Sequence, residues 1–384
     1  MYLPLKVGRL ALGNCLIQLP NIGNSIQCEP STFAPWISPE VSGVSLDAAG
    51  LVALADFTTI ARRTALTGTS TFLDAFVLCP GLHRQQNAPE LNGGEYPTCA
   101  AMTTGYVFRV ENPATVLYLQ KVGRTGQLTT LSVRDIRQTE TFWSRTLSLL
   151  HTTHRAALLT TVPYFGAICL TLWTLVLLVL TADWWGLTVI VILIFSRFCN
   201  IIVIRRRSIT GWKGASEPGV QGDLLILLSQ DRWIRLRGTV DDLKAVTSGQ
   251  WLREPTFFEG SVAALATVLV YLDAALASNT YQLGKILLLV LLISSAGLLA
   301  ITNEKTEVLQ MHGKLIQVDG KRKKYDRRLT MAEELIRETG RQDWAVRLGM
   351  IVPKRDEKVD KKDEGPVPKQ DEKVDMQDEG PVIM

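Results

Sequence analysis

Residues 156–180 read AALLTTVPYFGAICLTLWTLVLLVL, a run without a single charged side chain. A helix rising about 1.5 Å per residue needs about 20 apolar residues to cross bilayer hydrocarbon, so this stretch alone is long enough. It opens a hydrophobic block from Ala156 to Ile204, and a second block runs from Gly260 to Ile301. Ala182-Asp183-Trp184-Trp185-Gly186 interrupts the first with an acid, two aromatics and a glycine, the composition of an interfacial turn. Ser278-Asn279-Thr280-Tyr281-Gln282 divides the second in the same way. The expected fold is an α-helical integral membrane protein with four transmembrane helices as two hairpins, near 156–180, 186–204, 260–277 and 283–301.

Orientation follows from Lys and Arg beside the spans, because cationic loops stay on the cytosolic side. Arg145, Arg155, Arg205 to Arg207, Arg253, Lys305 and Lys314 all fall on one side, and the two short turns contain neither residue type. Both termini are therefore expected in the cytosol, with only the turns on the far face. The leader-like start, Met1 to Leu19, is interrupted by Pro4 and Asn14, so uncleaved entry through the first span is expected.

The formal charge of +4 over 384 residues hides a mixture of neighbouring acids and bases, which argues against nucleic-acid binding. Cys15, Cys28, Cys79 and Cys99 precede the first span; on the cytosolic side they are expected as free thiols. His151 and His154 have a spacing that suits two metal ligands, but without further donors they define no site, and no metal or cofactor is expected.

Outside the spans the chain divides into 1–150, partly irregular, a loop at 205–259, a basic segment with a helix at 303–350, and a tail at 351–384. A helix is expected within Ser45 to Leu66, with Ser45 as its cap. Strands are expected at Val107 to Val110, Val116 to Leu119 and Leu128 to Val133, the last two as a hairpin around Val122-Gly123-Arg124-Thr125-Gly126. Leu224 to Leu228 and Trp233 to Leu236 form a second strand pair, followed by a helix capped by Thr239 with Asp242 in the acidic position of a capping box. Val308 to Met311 and Leu315 to Val318 form a third, followed by a helix capped by Thr330. The order hairpin, strand pair, capped helix thus occurs twice, which suggests an ancient duplication. From Pro353 the sequence Asp356-Glu357-Lys358-Val359-Asp360 returns at Asp371-Glu372-Lys373-Val374-Asp375, a low-complexity polyampholyte expected to be disordered.

Charged residues inside the spans are the first candidates for chemistry, since they are costly there and commonly functional. Asp273 stands about one turn from the far end of the third span, where Lys285 can pair with it across the hairpin. Arg197 is deeper than the triple-arginine stop, and its stem is long enough to snorkel to the interface. In the soluble parts, Trp212, Arg232, Trp233, Arg235 and Arg237 combine charge with aromatic anchors suited to a partner. The cluster Lys321, Arg322, Lys323 and Lys324 can touch anionic lipid at about 1 kcal/mol per cation near a surface. No Walker loop, GxGxxG, GxSxG or HExxH motif is present, so an enzyme ranks below the other readings.

Gly211-Trp212-Lys213-Gly214, Glu217-Pro218-Gly219, Gly222-Asp223-Leu224-Leu225, Ser229-Gln230-Asp231-Arg232-Trp233, Val240-Asp241-Asp242-Leu243-Lys244 and Gly249-Gln250-Trp251-Leu252 resemble a family of uncharacterised multi-pass membrane proteins of filamentous fungi. The resemblance covers mainly residues 150 to 302 and implies topology and source, with no catalytic residue. The expected function is a membrane-anchored docking or accessory protein, in contact with the bilayer and with a protein partner or anionic lipid on its cytosolic face. The alternative is a small-solute or ion transporter working as a homo-oligomer, carried by Asp273 and Arg197.

Overall fold

The computed structural model describes residues 11–12, 15–16, 49–135, 154–209 and 214–352. Ser45, His151, Trp212 and the repeated tail from Pro353 lie outside them. Nine helices follow in chain order among the described residues: α1 Thr59–Thr67, α2 Pro113–Val122, α3 His154–Leu180, α4 Trp184–Arg207, α5 Val240–Thr247, α6 Phe257–Leu276, α7 Gln282–Lys305, α8 Arg328–Thr339 and α9 Asp343–Arg347. The main sheet contains β1 Thr98–Ala101, β2 Val107–Arg109, β3 Gln127–Asp135, β4 Gln221–Leu228, β5 Arg232–Thr239, β6 Leu309–Met311, β7 Lys314–Val318 and β8 Lys323–Lys324.

The four helices α3, α4, α6 and α7 are long and apolar enough to cross a membrane. Asp183 starts α4 by accepting from the Gly186 amide at 2.9 Å, and its other oxygen accepts from the Tyr281 amide at 3.1 Å. One carboxylate therefore holds the two interhelical turns together at one end of the bundle. At the other end Thr256 and Glu259 form a capping box at the start of α6, and Glu259 pairs with Arg253 at 2.5 Å and Arg206 at 3.4 Å. The most extensive helix contacts run between the hairpins, α3 against α7 and α4 against α6.

The bundle also holds chain that the sequence reading kept apart from it. The 3₁₀ segment Ala49–Leu54 packs against both α6 and α7, and the 3₁₀ segments Phe72–Phe76 and Leu82–Asn92 both pack against α4. Ala53, Ile60, Val77, Leu78 and Leu82 share an apolar core with Val189, Leu193, Val270, Leu288 and Leu292. Gly50 sits against the far end of α6, where a Cβ would stand 2.5 Å from the Ala274 oxygen and 2.7 Å from the Ala277 Cβ. Nine residues later the Thr59 oxygen accepts from Asn303 Nδ2 at 2.8 Å, near the opposite end of α7. Ala49 to Thr59, a 3₁₀ segment followed by irregular chain, thus runs along the bundle from one end towards the other. Gly50→Ala is expected to cost about 1–3 kcal/mol by overpacking. Thermal unfolding in detergent checks it, and an unshifted midpoint would show that this contact is loose.

The sheet runs in the order β2-β1-β4-β5-β3-β7-β6, with β8 also on β3. It joins strands from all three soluble segments. β3 pairs parallel to β5, with Leu131 opposite Leu236, and antiparallel to β7, with Val133 opposite Ile316. The two strand pairs therefore meet β3 with opposite sense, each through its second strand. One face of the sheet packs Leu131, Ile226, Ile234 and Leu236 against α1, α2, α5 and Trp251. The opposite face packs Leu225 and Trp233 against α8 and α9.

Several local expectations are corrected. Val116 to Leu119 is helical, because Asn112 caps α2 by accepting from Ala114 and Thr115 amides and Pro113 fits the first turn. Val122 to Gly126 accordingly links a helix to β3 and is no hairpin turn. The described part of the helix expected at Ser45 to Leu66, from Ala49 on, divides into the 3₁₀ segment and α1. Thr239 does cap α5, accepting from the Asp242 amide at 3.3 Å, but the Asp242 carboxylate pairs with Lys314 at 2.5 Å. Thr330 lies inside α8, which begins at Arg328 without a side-chain cap.

Candidate functional site

The polar interior of the bundle is organised by Arg197. Its side chain does not snorkel: the residue is 1% exposed, with Nε donating to the Asp74 backbone oxygen at 3.2 Å and Nη1 to Gln85 Oε1. The Asp74 carboxylate accepts from the Thr71 amide at 2.6 Å and from the Tyr164 hydroxyl at 2.7 Å. Arg63 lies over the Tyr164 ring, 5.4 Å from its centroid. One turn nearer the sheet, Gln86 donates to Asn200 at 2.9 Å and accepts from Arg207 Nη1 at 2.7 Å. Arginines on α4 thus bind the irregular 72–92 chain, whose backbone would otherwise leave polar groups unpaired among apolar helices. Sequence reading found Arg197 but missed Asp74, Gln85 and Tyr164, which carry no local signal.

Asp273 lies on the inward stripe Ala266, Val270, Asp273 and Ala277 of α6 and is 1% exposed. Neither of its carboxylate oxygens has a hydrogen-bond partner among the described residues. The expected pair with Lys285 is not formed. Lys285 is itself buried, and the acid whose charge it feels is Asp183 at the joined turns. Burial raises the Asp183 carboxyl above its ordinary range, opposed by the Gly186 and Tyr281 amides and by Lys285.

The residues expected to form a docking face separate into buried and exposed sets. Trp233 and Arg235 are buried, because the sheet is covered on both sides and strand alternation leaves them under α8 rather than in water. Arg235 donates to Asp223 at 2.7 Å and to Glu338 of α8 at 2.5 Å. Burial opposes its charge, yet these carboxylates hold the guanidinium above its ordinary range. Arg237 is exposed beside the same two acids, at 3.5 and 3.9 Å. Arg232 closes a turn by donating to the Ser229 and Gln120 oxygens at 3.0 Å.

Lys321, Arg322, Lys323 and Lys324 are all exposed along the β8 edge. Lys323 pairs with Glu334 at 2.5 Å. Arg322 acts on the phenol of Tyr118, which donates to the Glu307 oxygen at 2.7 Å. Burial and Glu307 push that phenol up, and Arg322 opposes them.

Among the described residues no group of three or more His, Cys, Asp or Glu is placed to hold a metal ion. An open groove of about 610 Å³ at the junction of sheet and bundle is lined by Arg109, Glu111, Arg207, Trp251 and Glu254 among others, a mixed-charge wall that selects no ligand sign. Compared with known families, curated proteins and solved structures, the chain shows no match.

Proposed function

We propose that the chain is an integral membrane protein, with α3, α4, α6 and α7 crossing the bilayer, the joined turns on the far face and the sheet in the cytosol. Exposed aromatics at both ends of the bundle support this: Trp184, Trp185 and Tyr281 at the turns, and Phe257 and Phe258 at the sheet end. Between them the helices show broad apolar exteriors. The protein acts as a membrane-anchored accessory module whose basic edge, Lys321, Arg322 and Lys324, docks on anionic lipid headgroups. The observation that carries this reading is that Lys321, Arg322 and Lys324 are exposed together on the sheet, at and just before the β8 strand that pairs with β3.

Neutralising Lys321, Arg322 and Lys324 to glutamine is expected to reduce the enrichment of anionic lipid around the protein in mixed nanodiscs. At about 1 kcal/mol per cation, three changes weaken the contact by roughly a hundredfold. Lipid mass spectrometry of purified nanodiscs, at low and at high salt, reads this; unchanged lipid composition would refute the docking reading.

A transporter reading is favoured by one feature, the partnerless carboxyl of Asp273 inside the bundle. Asp273→Leu removes that group and is expected to keep or raise stability, since replacing an unsatisfied polar side chain by an apolar one is neutral or favourable. Proteoliposomes of the wild-type chain would then show proton or cation flux that the variant lacks. Equal flux in the two would discard Asp273 as the carrier.

A further inference from the structure

We propose that the outward face of the Ala49 to Thr59 segment, a 3₁₀ turn followed by irregular chain, is the contact surface for a second copy of this chain. The inference rests on the membrane reading above. Its anchor is the ion pair Arg84 to Asp56, 2.6 Å long, with side chains 54% and 57% exposed on the outside of the bundle.

The depth of this pair is bracketed by contacts at both ends. Thr59 bonds to Asn303 near the sheet end of α7, and Gly50 meets Ala274 and Ala277 near the turns. Between them, the Ala53 oxygen accepts from the Gly81 amide at 3.3 Å, and the His83 oxygen accepts from Thr267 at the middle of α6 at 3.4 Å. Asp56 and Arg84 therefore lie about halfway across the span. Lipid does not tolerate irregular backbone or a charged pair at that depth, because hydrocarbon supplies no hydrogen bonds and solvates no charge. Helices α3 and α4 can face lipid, but this face cannot.

Self-complementarity identifies the cover. An acid and a base stand at the same depth on one patch, so a two-fold axis along the membrane normal sets Arg84 of each copy near Asp56 of the other. Two copies then form four charge contacts from two pairs and hide all of them from lipid. Leu51 and Phe57, exposed on the same segment, supply apolar contacts beside the charges.

The test places the photo-reactive amino acid p-benzoylphenylalanine at position 57 of the full chain in its membrane, with a second site at Trp173 on the lipid-facing side of α3. Illumination at position 57 is expected to give a covalent species of twice the chain mass, and at position 173 lipid adducts. The charge swap Asp56→Arg is expected to lower the doubled species at least about tenfold, and adding Arg84→Asp is expected to restore it. A lipid adduct, an adduct within one chain, a protein of another mass or no adduct at position 57 would each overturn the proposal. Absence of lipid adducts at position 173 would instead count against the membrane reading, independently of the outcome at 57.

Discussion

Replacing Arg197 by alanine is expected to free the 72–92 chain from the bundle and to lower stability by several kcal/mol. The guanidinium is the donor for the Asp74 oxygen and for Gln85 Oε1, and both partners are buried. Removing it leaves Gln85 Oε1 without a donor, at about 1–3 kcal/mol, reduces the Asp74 oxygen to its bond from the Val77 amide, and opens a void the size of a long side chain. Arg197→Lys is expected to recover little, since a single ammonium on a shorter stem cannot reproduce the planar fork that reaches both acceptors. Thermal unfolding in detergent gives the stability change, and limited proteolysis between residues 72 and 92 reports release of the segment. An alanine variant with unchanged midpoint and unchanged cleavage would show that apolar packing, not this arginine, retains the segment.

The largest single loss in the soluble layer is expected at Trp251. Its side chain is fully buried in the core between the sheet and α1, α2 and α5, and Nε1 donates to the Gly68 oxygen at 2.9 Å. Gly68 ends α1 in a left-handed conformation, and a Cβ there would overlap the Gln310 oxygen of β6. Trp251 thus fixes α1, β6 and the approach to α6 at one point. Trp251→Ala is expected to cost about 3–5 kcal/mol from lost packing and the cavity left behind. Trp251→Phe keeps most of the apolar volume but drops the hydrogen bond, so a loss of about 1–3 kcal/mol is expected. Circular dichroism melts of both variants separate the two contributions; equal losses would assign the effect to the hydrogen bond alone.

What could be read from the sequence was whatever a window of about 20 residues contains. The apolar blocks place α3, α4, α6 and α7 to within a few residues, and the largest differences fall where Arg205 to Arg207 and Thr302 to Lys305 continue a helix past its apolar part. The apolar run Leu224 to Leu228, and the alternation of Arg235 and Arg237 with Ile234 and Leu236, identify β4 and β5. They do not reveal that both faces of the sheet are covered, so Trp233 and Arg235 read as surface residues. The helix α2 was legible in principle, from Asn112 followed by Pro113, but the β-branched and apolar run after it favours a strand. Of the 49–92 chain only α1 was legible, within the helix expected at Ser45 to Leu66. The chain's 3₁₀ segments have no amphipathic period, and its place in the bundle depends on partners such as Gln85 and Arg197, 112 positions apart.

The central position of β3 imposes an order on biosynthesis. Its neighbour β5 is made only after α3 and α4, and β7 only after α6 and α7. At about 5–20 residues per second, a ribosome needs roughly 10–40 s to pass from β3 to the end of β7. Throughout that interval at least one edge of β3 is unpaired, and the 49–92 chain waits for helices that have not yet been made. On the membrane reading proposed above, the sheet is consequently a checkpoint on integration: a chain whose last hairpin fails to insert keeps the β7 edge of β3 unpaired, a form open to recognition by chaperones and proteases.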